Sequence, residues 1–285
     1  MVKDDVADQL VCSTVKVTCV NKEKQSQGTA FFMLMHDGPK DLLALVTNKH
    51  VVVSDKKGTI FDEAYIVLSK RNSNGTIKKE HIQLHISELK ERCFFHPDDS
   101  IDLCLLVIND LIEQARANGI DPYFKAITTD FSISNFNMQE LTPVEDIVMI
   151  GYPIGLIDEV NNKPVVRKGI TATDIRLDYN GRKEFLIDAA CFHGSSGSPV
   201  FLRKMGLSKE DIDNGFSISL HPTYAFLGVL YAGPVEKVDG EIKIKTIPTS
   251  TQMPYSEHEH TINLGFVIKS EKVVELFSLI KEYTK

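Results

Sequence analysis

The spacing of apolar residues constrains this chain most: short apolar runs recur along nearly its whole length, separated by Gly, Asn, Asp and Pro. Runs of this length, rich in Val, Ile, Phe and Thr, read as strands. Many of them with turns between predict a barrel or sandwich, not a parallel sheet with crossover helices. The candidates are 10–20, 28–35, 42–48, 64–69 and 101–108, then 146–151, 165–175, 184–189, 198–202, 225–232, 241–246 and 262–268. Helical periodicity is convincing in two places only. One is 109–118, with Gly119 as its stop. The other is 271–284, with Ser270 as N-cap and Val273, Val274, Phe277 and Ile280 on one apolar face. The expected organisation is a β-domain over 8–110, a partly helical linker over 111–142, a second β-domain over 143–268 and a C-terminal helix over 269–285. Stretches 203–224 and 233–262 are longer than a barrel needs.

Bulk properties narrow the function. The 285 residues carry a formal net charge of -7, with Lys and Arg scattered, so neither nucleic acid nor an anionic membrane surface is expected as a partner. No apolar stretch approaches the roughly 18 residues of a membrane span, and the first residues lack the apolar core of a secretory signal. Cys12, Cys19, Cys93, Cys104 and Cys191 form an odd set without a CxxC pair, so a disulfide or zinc framework is not expected and a reducing cytoplasm is. His258 and His260, flanking Glu259, read as a solvated polar loop, and no metal site is expected.

Three segments carry chemistry. In His193-Gly194-Ser195-Ser196-Gly197-Ser198-Pro199-Val200, small residues allow a tight turn that exposes a hydroxyl and converges backbone N–H groups. In Leu45-Val46-Thr47-Asn48-Lys49-His50-Val51-Val52, a polar interruption places His50 at the end of a buried strand. In Ile101-Asp102-Leu103-Cys104-Leu105-Leu106, a carboxylate opens an apolar strand and needs a partner, either a backbone amide, an Arg or the imidazole of His50.

Together these segments resemble the trypsin-like serine peptidases, closest to the HtrA-like bacterial branch. GTAFF at 28–32, TNKHVV, IDLCLL, GSSGSPVF, the Ile150-Gly151-Tyr152-Pro153-Ile154-Gly155 segment and the closing INLGFVIKSEKVVELF all carry the likeness, over about 28–280 and in the order His, Asp, Ser. The resemblance implies an all-β fold of two six-stranded antiparallel Greek-key barrels with a C-terminal helix, and no PDZ domain. It implies a catalytic triad of Ser196 (nucleophile), His50 (base, then acid) and Asp102, with the N–H groups of Gly194 and Ser196 as oxyanion hole. It implies a polypeptide substrate and no cofactor; oligomeric state is left open.

Two departures from the family pattern stand out. Ser195 replaces the usual Asp or Asn, so capture of a new N-terminal amine is not expected to build the site. Ser198 replaces a second glycine, and its side chain could crowd the turn. By the same resemblance Ala190, Tyr231, Ala232 and Gly233 wall the substrate pocket, where the absence of an acidic residue at Ala190 implies small or medium apolar side chains over Arg or Lys. Tyr231 could instead fill the pocket. Two other functions use the same residues: a catalytically silent binding module, and an esterase or acyl-transfer enzyme.

Overall fold

The computed structural model describes residues 5–36, 41–72, 77–132, 140–207, 220–233, 235–241, 255–261 and 263–283. Helix α1 (Val6–Cys12) precedes strands β1 (Thr14–Val20), β2 (Gln25–Met35) and β3 (Leu42–Thr47). A four-residue helix α2 (Lys49–Val52) leads to β4 (Glu63–Arg71) and β5 (Ile77–Ile86). Next come α3 (Leu89–Arg92), β6 (Cys93–Phe95), β7 (Cys104–Val107), α4 (Asn109–Ala117), β8 (Pro122–Tyr123) and β9 (Ile127–Thr128). The second half holds β10 (Asp146–Gly151), β11 (Val165–Thr171), β12 (Glu184–Asp188), β13 (Pro199–Leu207) and β14 (Leu220–Ala232). It ends with β15 (Val235–Glu241), β16 (Tyr255–Thr261), β17 (Leu264–Lys269) and α5 (Ser270–Tyr283).

The first sheet has the order β5-β4-β1-β2-β3-β7-β6, with β8 on β4 and β9 on β2. The second half closes as a six-stranded barrel, β10-β11-β12-β17-β14-β13. The double barrel expected from the sequence is present. Its first half recruits more strands than six and includes one parallel pairing, Met33 with Ile127.

Period-two alternation explains why so many strands read as unbroken apolar runs: both of their faces are buried. On β2, Ala30 and Phe32 face the first barrel's interior, while Phe31 and Met33 face a cluster shared with the second half. On β10, Ile147 and Met149 face the second barrel's interior, while Val148 and Ile150 face the shared cluster. Phe201 and Phe226 join Phe31 there, with ring centroids 5.3 Å apart for Phe31 and Phe226 and 5.9 Å for Phe201 and Phe226. The C-terminal helix caps this seam with Val273, Leu276, Phe277 and Ile280. Burying a side chain such as Phe277 stabilises by about 1.5–3 kcal/mol, so the helix is part of the clamp holding the barrels together.

Local departures have local causes. Residues 6–12 are helical because Asp5 caps their first turn by accepting from the Ala7 amide, so the predicted strand at 10–20 starts only at Thr14. Residues 101–103 stay outside the strand; β7 begins at Cys104. In the long 233–262 stretch, Val235–Glu241 pairs with Tyr255–Thr261 as a separate two-stranded ribbon. The predicted strand at 241–246 lies almost wholly outside the described residues. Among the described residues, no helix is long and apolar enough to cross a membrane.

Candidate active site

His50 reaches the surface because β3 ends at Thr47 and the chain turns at once into α2. Val51 and Val52 are buried there, which leaves the imidazole on the open side. Asp102 is delivered by a turn in which Asp98 accepts from the amide and hydroxyl of Ser100, while Ile101 and Leu103 anchor into the core. The Asn48 side-chain amide donates to the Asp102 carbonyl at 2.8 Å, pinning that backbone. The Asp102 carboxylate then takes two bonds from one residue. His50 N–H donates to Oδ1 at 3.0 Å, and Nδ1 lies 2.5 Å from Oδ2. A carboxylate only accepts, so Nδ1 carries a proton, and in the neutral imidazole Nε2 is then the nitrogen with the free lone pair.

Ser196 comes from the second barrel. Gly28 shows how closely the two halves meet. A side chain there would lie 2.8 Å from the methyls of Val51, next to His50, and 3.3 Å from the Ser196 carbonyl. Thr29 continues the bracket. Its amide donates to the Ser196 carbonyl at 2.8 Å and its hydroxyl to the Gly194 carbonyl at 2.8 Å, while Tyr152 N–H donates to Thr29 Oγ1 at 3.0 Å. Thr47, three residues before His50, donates to the Thr29 carbonyl at 2.8 Å. Ser196 Oγ lies 3.5 Å from the Tyr231 carbonyl, and among the described residues no hydrogen bond joins it to the imidazole. Such a bond often tightens only once substrate is bound.

The turn itself needs its glycines. Gly194 and Gly197 have φ of 84° and 87°, and a side chain at Gly197 would strike the Thr29 carbonyl at 1.9 Å. Gly197 N–H donates to the Leu230 carbonyl, Ser198 N–H to Ser195 and Ser195 N–H to Phe192. Among the described residues, the N–H groups of Gly194 and Ser196 have no acceptor. Ser195 is buried, with its hydroxyl 3.4 Å from the Phe192 amide. Ser198 does not crowd the turn. Its hydroxyl occupies the space beside Gly151, where a Cβ would come within 2.0 Å of it.

Of the expected pocket residues, Ala190 and Ala232 are half-buried and Gly233 is exposed. The Tyr231 ring points elsewhere: its hydroxyl donates to Glu184 at 2.7 Å and its ring tilts against Phe266. Glu184 starts β12, whereas Ala190 follows its end, so only the Tyr231 backbone faces Ser196. Burial, then the Glu184 carboxylate, pushes the phenol well above its ordinary range. Two neighbours were not singled out from sequence. Buried Cys191 packs beside Gly233 and Gly265, and burial pushes its thiol up to about 11. Phe192 lies under the Arg167 guanidinium, 5.2 Å from ring centroid to Cζ. In the sequence Thr29 stands out only as part of the GTAFF strand.

Two barrels packed across an apolar seam, with His50–Asp102 on one lip and a glycine-bounded serine turn on the other, define a protein of the serine-protease fold. The chain belongs to the trypsin-like peptidase domain family, whose model matches residues 28–206. Among solved structures it is similar to an HtrA-type protease with a tripeptide, at 15% identity and TM-score 0.49, covering 99% of this chain and 64% of that one. A thermostable serine protease from an extremophilic microorganism matches at 12% identity and TM-score 0.49, covering 95% and 97%. The serine endoprotease from Yersinia pestis matches at 16% and 0.44, covering 95% and 63%. This chain thus spans less than two thirds of the first and third of these structures. No curated protein matches it in sequence.

Proposed function

We propose that the protein is a serine endopeptidase of the cytoplasm that hydrolyses polypeptides through an acyl-enzyme. The observation that carries this reading is the double engagement of His50 by Asp102, which holds the imidazole with Nε2 free to accept a proton. Ser196 Oγ attacks the scissile carbonyl carbon as its proton passes to His50 Nε2. The carbonyl oxygen becomes an oxyanion received by the N–H groups of Gly194 and Ser196. His50 then gives the proton to the leaving amine, and the C–N bond breaks to leave an ester on Ser196. Water, deprotonated by His50, attacks that ester and the serine leaves with the proton. Ala190, Ala232, Gly233 and the Tyr231 backbone wall the pocket for the side chain preceding the cut.

The test is covalent labelling with a fluorophosphonate. Wild type and Ser195→Ala should label at one site, and Ser196→Ala should not. Absence of labelling in the wild type marks a silent binding module. Labelling with turnover of simple esters but not peptides marks an esterase or acyl-transfer enzyme.

A further inference from the structure

Building on the peptidase reading, we infer that Ile154 is a positioning residue whose backbone N–H orients the Gly194 half of the oxyanion hole. The Ile154 amide donates to the His193 carbonyl at 2.5 Å. In a trans peptide the C=O and the following N–H point in opposite directions, so holding the His193 carbonyl on the Ile154 side turns the Gly194 N–H away from it. Among the described residues, that N–H is one of the two in the turn without an acceptor. The approach is tight: a side chain on Gly194 would lie 2.5 Å from the Tyr152 carbonyl and 3.3 Å from the Ile154 nitrogen.

The conformation that delivers this amide is costly. Ile154 sits in the left-handed region, φ 47° and ψ 28°, which a β-branched residue rarely adopts. Core packing does not demand it, because the side chain is 67% exposed. Strain of this kind persists where the surroundings over-determine it and clusters at active sites. Its neighbours do over-determine it. Gly155 N–H donates back to the Tyr152 carbonyl, Leu156 N–H to the Pro153 carbonyl, and Tyr152 N–H is held by Thr29. Ser195 places no carboxylate beside the hole, and this short turn takes over the task of fixing it. The two bonds are also in series: charge on the oxyanion polarises the His193–Gly194 peptide, making its carbonyl a better acceptor for Ile154.

The test replaces the Ile154 amide with an ester, removing the N–H while keeping the side chain. Ile154→Asn keeps the N–H with a residue that tolerates the left-handed region. Losing an oxyanion-hole donor outright costs about 100- to 1,000-fold in kcat, and loosening one should cost a good part of that. The ester variant should lose at least about tenfold in kcat on a peptide substrate with KM little changed, and bind a peptide aldehyde correspondingly more weakly. Ile154→Asn, which keeps the N–H, should retain most of the kcat that the ester variant loses. As a readout independent of the ester variant's folding, hydrogen exchange at the wild-type Ile154 amide should slow when the aldehyde binds. An ester variant with wild-type kcat, or unchanged Ile154 exchange on aldehyde binding, overturns the inference while leaving the peptidase reading intact. A wild type that neither labels nor turns over overturns both.

Discussion

The Thr29 hydroxyl, on the first barrel, donates to the Gly194 carbonyl, on the second, at 2.8 Å, across 165 positions of sequence. The same oxygen accepts the Tyr152 amide, so one buried side chain satisfies the serine turn and the turn that supports it.

Thr29→Val keeps the shape and removes that oxygen. It should strand the Gly194 carbonyl and the Tyr152 amide, costing about 2–6 kcal/mol at about 1–3 kcal/mol per unpaired group. Urea denaturation should show the loss, and kcat should fall more than KM rises. Thr29→Ser, which keeps the hydroxyl, should recover most of both. A Thr29→Val enzyme with unaltered kcat would remove the bracket from catalysis.

Asp102→Asn should leave the fold intact and cut kcat by about 10⁴-fold. The substituted amide can donate where the carboxylate only accepts, which favours the wrong imidazole tautomer. Turnover within tenfold of wild type would exclude Asp102 from the proposed triad.

Peptides with Val, Ala or Leu before the cut should be hydrolysed faster than those with Arg or Lys. Ala190 offers no counter-charge, and neighbouring Cys191 is a buried neutral thiol. A cleavage profile led by basic residues would contradict this.

Burial pushes the Cys19 thiol up to about 12 and that of Cys191 up to about 11, each from an ordinary value of 9.0. Between those limits the unfolded chain has given up the proton and the folded one has not. The stability contribution is therefore whole below about pH 9 and drains away as pH rises through the folded values. The urea midpoint should fall over this window, and Cys19→Ala should flatten the fall. In the native state at pH 8, Cys191 should resist alkylation by iodoacetamide.

His50, Asp102 and Ser196 were legible because the types and order of these side chains suffice to suggest a triad. Thr29 and Ile154 were not, since their parts rest on one hydroxyl and one amide whose partners are distant in sequence. A backbone N–H has no letter of its own. Helix α1 was hidden for another reason: it is a short helix that passes through a single residue, Ser13, into β1, and only the Asp5 cap marks its start. Tyr231 lies where a pocket wall was expected, but Glu184 draws its ring along the barrel.

The fit of Ser198 beside Gly151 bears on how such a sequence can be reached one substitution at a time. The buried Ser198 hydroxyl has no partner among the described residues and occupies the room a side chain at 151 would take. A side chain at 151 would meet the Ser198 hydroxyl at 2.0 Å and the Thr29 hydroxyl at 2.9 Å, so a larger residue there requires both to give way. The choice of residue at one position thereby sets a boundary condition on the other.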